Sequence, residues 1–466
     1  MHRKTLFAMA LAVAWSAPVA ARAQDADLAR LREEVRQLKQ AYESRIQALE
    51  KRLQETETRT GKAQDAANQA AVQASSRPTG ENAFNPGISL ILNGSLSNLK
   101  RDPNALRING FVPTQGKVAP PPRGLSVGES ELAISANVDH LFRGTVIAAV
   151  APEGGIEIEE AFIQTLGLSR GLTIKAGRFF SGVGYQNEIH AHAWDFTDAP
   201  LASKVFLGGQ LAEDGFQVKW VAPTDLYFDL GAEAGRGRKF PGGPDGGRSK
   251  NGFGSGNFFT HLGGDVGAST AWRVGASYLR TSPQDRSYAD LDSTGTGVSN
   301  SFTGRSRLWA LDGILKWAPN RNPTYSNLKL QGEYFRRAEN GVLTYDTQAA
   351  SLGTQTGSYA SRQSGWYLQG VYQFMPQWRA GYRYDRLNAG TTNIGLVSAA
   401  ALAAADFPIL GGYSPKRNSL MVDWSPSEFS RWRLQLARDY SRPGEPDNQL
   451  FVQYIMSLGA HGAHKF

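Results

Sequence analysis

The sequence contains no cysteine in 466 residues, and it lacks several features that would point to an enzyme. Disulfides, thiolate metal sites and cysteine nucleophiles are therefore excluded. No phosphate-loop or dinucleotide-binding motif is present, and the glycine-rich stretch at 235–243 precedes no helical pattern. We therefore expect a protein that is not an enzyme and has no catalytic residues.

Long apolar runs and a large excess of charge are also missing. After residue 23, no stretch reaches the roughly 20 apolar residues that a membrane-spanning helix requires. The formal net charge is +8, and it falls to +5 without the first 23 residues, which hold three basic residues and no acidic one. This modest charge indicates no nucleic-acid partner.

The first 23 residues have the pattern of a secretory signal peptide. His2, Arg3 and Lys4 form a basic start, residues 6–15 are an apolar run, and residues 21–23 (Ala-Arg-Ala) form a small-x-small cleavage site. We expect cleavage before Gln24 and export from the cytoplasm. The apolar run is too short for a membrane anchor.

Residues 24–57 have the periodicity of a helix with one narrow apolar stripe. The stripe consists of Leu28, Leu31, Val35, Leu38, Tyr42, Ile46, Leu49 and Leu53. This heptad-like spacing predicts a short periplasmic coiled coil, with a lone amphipathic helix as the alternative. Residues 58–84 are rich in Ala, Gln, Ser and Thr, and we interpret them as a flexible linker.

From residue 85 to 466, apolar side chains recur at every second position, which is the period of a β-strand. This part of the chain alternates tight turns with mostly long polar loops, and the whole sequence is rich in glycine and aromatic residues (51 Gly, 22 Phe, 16 Tyr and 10 Trp). That combination is typical of a bacterial outer-membrane barrel, in which lipid covers one face of each strand. A soluble β-sandwich does not fit the loop asymmetry.

The predicted fold is all-β: a transmembrane antiparallel β-barrel of about 16 strands, following a short α-helical coiled coil. A segment near 106–113, with one further strand, would raise the count to 18. The predicted strands lie near 88–98, 130–138, 142–150, 156–167, 172–180, 214–220, 225–235, 257–266, 271–280, 306–317, 327–336, 365–374, 377–386, 418–424, 430–439 and 450–466.

Specific stretches resemble those of known outer-membrane proteins. Phe466, preceded by alternating apolar residues from 450, resembles the insertion signal that the barrel-assembly machinery reads. The plan of signal peptide, coiled coil and barrel resembles bacterial porins, especially the phosphate-selective porin O/P superfamily, and KAGRFFSGVG (175–184) is similar to the porin strand that enters the third outer loop. The resemblance implies a homotrimer, assembled through barrel and coiled coil.

Two further stretches resemble proteins catalogued as zinc-regulated, TonB-dependent-type outer-membrane receptors. They are NEIHAHAWDF (187–196) and YIMSLGAHGAHKF (454–466). TonB-dependent receptors carry a globular plug inside 22 strands, and this chain has no room for both.

The third outer loop is predicted at 181–213, and the porin resemblance implies that it folds into the lumen. Its candidate constriction residues are Glu188, His190, His192, Asp195 and Asp198. Basic side chains at inward positions would face it across the lumen: Lys175, Lys219, Arg273, Lys329, Arg379, Arg383, Arg431 and Arg433. Such an arrangement would place a transverse field across the pore. The alternative is that these charges only solvate the lumen and hold the loop down.

His190 and His192 are two residues apart, so in an extended loop both rings point the same way. With Glu188 on that face they would form a nitrogen and oxygen site for zinc or a similar ion. Packing of the loop through imidazole hydrogen bonds is the alternative. No other cofactor is expected.

The sequence thus predicts an outer-membrane porin of a Gram-negative bacterium, surrounded by outer-membrane lipid and passing small hydrophilic or charged solutes. Two alternatives stay open. One is a zinc or metal-ion uptake channel that uses the loop histidines, and the other is a structural tether of the cell envelope.

Overall fold

The computed structural model describes residues 86–459, except 106, 115–117, 151–153, 245–250 and 320, and six residues near the N-terminus (33, 36, 37, 39, 40 and 44). The six are helical and exposed, and Arg36 forms an ion pair with Glu33. The predicted signal peptide, the linker, most of the coiled coil and the insertion signal at Phe466 lie outside the described residues. Among the described residues, no helix is long and apolar enough to cross a membrane.

Among the described residues, eighteen strands form one sheet. In chain order they are β1 (Gly87–Leu99), β2 (Gly124–Ser126), β3 (Ser130–Asn137), β4 (Phe142–Val150), β5 (Ile156–Thr165), β6 (Leu172–Phe180), β7 (Ala212–Val221), β8 (Tyr227–Gly235), β9 (Ser255–Val266), β10 (Thr270–Thr281), β11 (Arg286–Leu291), β12 (Gly297–Trp317), β13 (Asn327–Tyr345), β14 (Gln355–Met375), β15 (Trp378–Ile394), β16 (Lys416–Ser427), β17 (Ser430–Asp439) and β18 (Asp447–Gly459).

Sixteen of these strands close into a barrel. Each pairs antiparallel with its neighbour, and β1 pairs with β18 from Ser89 opposite Gly459 to Leu99 opposite Gln449. The short strand β2 adds to β1, and β11 adds to the outer half of β12. The predicted closed barrel of 16 strands is confirmed. Residues 107–113 contain no strand, so the suggested 18-stranded barrel is wrong, and the two extra strands lie elsewhere.

The barrel has short turns at one end and long loops at the other. Met375 and Trp378 are joined by a two-residue turn, in which Gln377 has a φ of 72°. Ser427 and Ser430 are joined in the same way. The opposite end carries the long loops, among them residues 181–211. This asymmetry was predicted from the sequence.

The outer surface of the barrel is apolar because outward positions alternate with inward ones. On β12, Trp309, Leu311 and Leu315 are exposed on the outside, whereas Asp312 and Ile314 are buried on the inside. The same alternation recurs on the other long strands. A belt of exposed Leu, Trp and Tyr of this extent suits hydrocarbon and not water.

Strands β12–β15 are much longer than predicted. They reach up to 21 residues, because they continue through regions that were predicted as loops, at 281–305, 337–364 and 387–417. Beyond the apolar belt the outward face becomes polar, as at Arg336 and Asn340 of β13, while inward positions such as Leu343 pack in a buried cluster. The apolar alternation ends there while the backbone ladder goes on, so hydropathy gave no sign of the extension.

Candidate functional site

The loop between β6 and β7 lies inside the barrel. After Phe180 it forms two 3₁₀ turns, Gln186–Glu188 and Ala191–Ala193, and then the helix α1 (Leu201–Leu207), which ends at Gly208 with a φ of 66°. All seven side chains of α1 are buried. A surface loop would leave one face of such a helix in water, so this one is packed on all sides by the barrel.

Apolar packing holds α1 in place. The Phe206 ring lies 5.8 Å from the Phe335 ring of β13 and 5.9 Å from the Phe111 ring of the first outer loop. Leu308 and Leu387 of the wall belong to the same buried cluster. The sequence analysis missed this cluster because a seven-residue helix within a loop is too short to show a helical period.

Wall carboxylates bind the backbone of the loop. Glu333 accepts hydrogen bonds from the backbone N–H of Tyr185, at 2.6 Å, and from the hydroxyl of Tyr367, at 2.8 Å. Asp385 accepts one from the N–H of Leu201 at 2.9 Å. Gly184 permits the approach to Glu333, because its φ is +71° and a side chain there would overlap the carboxylate. The wall therefore carries acids as well as bases, which the sequence analysis did not anticipate.

Asp195 of the loop pairs with two predicted basic wall residues. Its carboxylate lies 2.8 Å from Nζ of Lys329 and 3.2 Å from Arg379, and Gln369 donates a further hydrogen bond at 3.1 Å. Burial would raise the pKa of Asp195, but the nearby Lys329 and Arg379 outweigh it and hold that pKa below its usual value. Asp195 is therefore charged across the neutral range.

Asp198 is surrounded by three cations. Arg383 lies at 3.1 Å and Lys204 of α1 at 2.8 Å, and Arg417 forms a third ion pair. Burial would raise the pKa of Asp198, but these charges hold it well below its usual value. Arg417 and Lys204 were not among the predicted residues, since their proximity depends on how the loop folds.

The other predicted basic residues also point inward, and most of them bind wall groups. Lys219 pairs with Asp229 at 2.8 Å, Arg273 approaches Asp312 at 3.8 Å, and Arg433 pairs with Asp423 at 2.8 Å.

Two predicted basic residues bind in other ways. Lys175 lies 4.5 Å from the centre of the Phe162 ring, and Arg431 donates to the carbonyl oxygen of His192. The predicted basic side chains are thus closely paired with acidic groups of the loop and the wall, as in the alternative in which the charges hold the loop down.

His190 and His192 lie together against a group of strand carboxylates. Nδ1 of His190 lies 3.2 Å from Glu131 and 3.3 Å from Glu159, and its Nε2 lies 3.0 Å from Glu160. Nδ1 of His192 lies 2.9 Å from Glu131, and the two rings are stacked with centroids 5.8 Å apart. We call these five residues the histidine–carboxylate cluster.

The protonation of His190 is set by this cluster. Burial alone would lower the pKa of His190, but hydrogen bonds to Glu131, Glu159 and Glu160 outweigh it and raise that pKa well above its usual value. The carboxylates that reach His190 are not the predicted Glu188. That residue lies in the first 3₁₀ turn, within electrostatic range of Lys219.

A polar vestibule opens below the loop at the short-turn end. This cavity of about 350 Å³ is bounded by the loop at Tyr185 and Asp195 and by the turn at Glu428. Its basic lining residues are Lys316, Lys329, Arg379 and Arg431, against the acidic Asp195 and Glu428. The vestibule is therefore basic on balance.

Comparisons with known proteins find likenesses at low identity. No family model matches the sequence. A protein of Aquifex aeolicus (strain VF5), described as uncharacterized, is 29% identical over 416 residues, which are 84% of this chain and 81% of that protein.

Solved structures of outer-membrane proteins superpose on most of the chain. OmpT, an outer membrane protein of Vibrio cholerae, has a TM-score of 0.48 at 10% identity, covering 82% of this chain and 99% of that one. An anion-selective porin from Comamonas acidovorans has a TM-score of 0.47 at 10% identity, covering 80% and 99%. The outer membrane channel DcaP of Acinetobacter baumannii has a TM-score of 0.45 at 10% identity, covering 80% and 97%. Because these identities are 10% and the TM-scores are below 0.5, the likenesses do not identify a function for this chain.

Proposed function

We propose that the chain is an outer-membrane channel for the passive diffusion of small hydrophilic or charged solutes, narrowed by the loop at 181–211. One observation carries this proposal: a closed barrel with an apolar outside holds a charged lumen that a folded loop crosses. An apolar outside requires lipid, and a charged inside requires water or paired charges. A polar path along the loop, inside the barrel, meets both requirements, because it keeps solutes and water away from the lipid that covers the outside.

The basic vestibule supports a preference for small anions. Four basic side chains and two acidic ones line it, so an entering anion meets a favourable potential at the short-turn end. The closely paired charges and the apolar packing around α1 favour a narrow pore with low conductance. We keep the homotrimer, the periplasmic coiled coil and reading of Phe466 by the barrel-assembly machinery as further proposals.

Liposome swelling with sugars of graded size tests the channel. Wild-type protein should admit only the smallest solutes. A variant that replaces residues 186–208 with a short glycine–serine linker should admit larger ones, because it lacks both the 3₁₀ turns and α1. If liposomes swelled with neither protein, the proposed channel function would be contradicted. That result would favour the structural tether, in which the barrel is only an anchor.

A second candidate function, handling of a divalent metal ion, is favoured by the histidine–carboxylate cluster. Ligand atoms of Glu131, Glu159 and His190 lie within 4.8 Å of one another, and His192 contacts Glu131. Imidazole nitrogen and carboxylate oxygen are ligands that zinc accepts. We propose that zinc binds here by displacing the proton that His190 otherwise shares with the carboxylates.

Zinc content after dialysis against micromolar zinc tests this second candidate. We expect about one zinc per chain in the wild type and none in the double variant His190→Ala with His192→Ala. The matched control is His140→Ala, which changes a histidine in an exposed turn. This variant should bind as much zinc as the wild type. Equal zinc content in all three proteins would exclude the histidine–carboxylate cluster as the zinc site. The histidines would then serve only to pack the loop.

A further inference from the structure

Five arginines form an exposed patch on the outside of the barrel near its long-loop end. We call Arg280, Arg305, Arg307, Arg336 and Arg362 the arginine patch; they lie at outward positions of β10, β12, β13 and β14. Arg280 lies directly opposite Arg307 in the β10–β12 pairing. Like charges at directly opposed positions destabilise a sheet, so this arrangement calls for a counter-charge.

The part of the chain that the structure describes forms no ion pair that would provide that counter-charge. Among the described residues, no ion pair joins any of the five arginines to a carboxylate. The acidic residues of the same strands, such as Asp312, Glu333 and Glu339, point into the lumen and are buried. Glu339, for example, pairs with Arg286 inside the barrel at 2.9 Å. Around the patch, the described outward positions of β10, β12, β13 and β14 therefore carry no carboxylate, and the exposed Asp285 in the turn after β10 is bound to Thr303.

The patch lies just beyond the apolar belt. On β12, Trp317 and Trp309 are exposed outward at the two ends of the belt, and Arg307 follows two residues nearer the long loops. Eight residues of strand span about 27 Å, or about 20 Å along the axis of a barrel whose strands tilt by about 40°. That distance is close to the roughly 25 Å height of a lipid-facing band. Arg307 is then at the level of the outer lipid headgroups.

The patch also has a shape that suits a headgroup. A groove of about 530 Å³ is lined by Tyr278, Trp309, Ala338 and three of the arginines, 307, 336 and 362. A smaller groove of about 270 Å³ beside it is lined by Arg280, Arg305 and Asn340 with Tyr278 and Arg307. The small side chain of Ala338, opposite both Arg307 and Arg362, leaves the centre open. Guanidinium groups around such a space match the paired oxygens of a phosphate.

We infer that the arginine patch binds the phosphate groups of a phosphorylated glycolipid of the outer leaflet, with the acyl chains lying along the apolar belt below. The inference depends on the outer-membrane location proposed above, but not on conduction through the lumen. The occupant is a lipid and not free phosphate, because the grooves adjoin exposed Trp309 and Leu311 on the membrane-facing side.

Binding of bisphosphorylated lipid A to the full chain in detergent micelles, measured by microscale thermophoresis, tests the inference. The triple variant Arg307→Gln, Arg336→Gln and Arg362→Gln should bind about a hundred-fold more weakly, since each basic residue near a charged headgroup contributes a several-fold gain. The matched control, Arg143→Gln with Arg170→Gln and Arg321→Gln, removes three exposed charges near the short-turn end and should bind as the wild type does.

Wild-type protein alone gives an independent test if the triple variant fails to fold. Lipid A with both phosphates removed should bind at least ten-fold more weakly than the bisphosphorylated form, and inorganic phosphate should not compete at equal concentration. Equal binding of the two lipids would overturn the inference, as would full competition by inorganic phosphate or unchanged affinity in a folded triple variant. Liposome swelling reports on conduction and not on lipid binding, so its result bears on the proposed channel and not on this inference.

Discussion

Asp198 and Arg383 join the loop to the far wall of the barrel, with Oδ1 of Asp198 3.1 Å from the guanidinium of Arg383. Both side chains are buried. The pair belongs to a group in which Asp198 also binds Lys204 and Arg417. The Asp198 carboxylate, which three cations share, is therefore one of the contacts that hold the loop across the lumen.

Asp198→Asn should destabilise the barrel and loosen the loop. Breaking a buried ion pair by removing one partner costs about 3–5 kcal/mol. Here one carboxylate serves three cations, although Arg383 keeps its pair with Asp385. We expect a lower free energy of urea unfolding in lipid vesicles and a higher, noisier single-channel conductance. Asp225→Asn, at an exposed turn, is the control and should change neither. Unchanged stability in Asp198→Asn would mean that the loop is held by its apolar contacts alone.

Phe206→Ala should free α1 without altering any charge. The ring is fully buried between Phe111 and Phe335, and truncation of such a ring costs about 3–5 kcal/mol. Faster proteolysis within 181–211 and swelling of liposomes in larger sugars would show the release. Phe253→Ala removes an exposed ring and should have little effect. If both variants resist protease equally, the apolar cluster does not anchor the loop.

Gly184→Ala should destabilise the barrel although it adds only a methyl group. The residue has a φ of +71°, which costs an L-residue about 1–2 kcal/mol, and the methyl would also overlap the Glu333 carboxylate. We expect a lower unfolding free energy than for Gly94→Ala, where a methyl meets nothing within 4 Å and the backbone is ordinary strand. Equal stability of the two variants would show that the loop does not approach Glu333 so closely.

The stability that His190 contributes should disappear as the pH rises. Its folded pKa is raised by Glu131, Glu159 and Glu160 despite burial, so the unfolded state loses its proton first, near pH 6.5. The stabilisation is complete below that pH and is lost as the pH rises through the folded pKa.

The difference in unfolding free energy between wild type and His190→Gln, measured in EDTA from pH 5 to pH 10, checks this. It should shrink toward alkaline pH. A difference that grows with pH would reverse the sign and mean that His190 is neutral in the folded barrel.

Much of the barrel follows from the period-two pattern of the sequence. Positions such as Leu311 and Leu315 alternate with Asp312 and Ile314, so one face must meet lipid, and closure follows from the aggregation that an open apolar edge would cause. The same reasoning placed the inward Arg and Lys residues on the correct face. It failed on the outer halves of β12–β15, where the outward face is polar although the strands continue.

The contacts within the lumen could not be predicted from the sequence. Glu131 and Glu159 reach His190 only because β3, β4 and β5 pair in one particular register and the loop then folds back onto them. A spacing of two residues between His190 and His192 suggested a partner within the loop, Glu188, whereas the partners come from strands about 30 to 60 residues earlier. Local spacing cannot report such distant neighbours.

Planar-bilayer conductance of the refolded protein in a KCl gradient tests directly whether the barrel is an open channel. We expect small, ohmic single-channel steps, a reversal potential that shows a preference for chloride, and larger steps once residues 186–208 are replaced by the linker. An absence of steps from both proteins would contradict the channel and leave the barrel as an anchor.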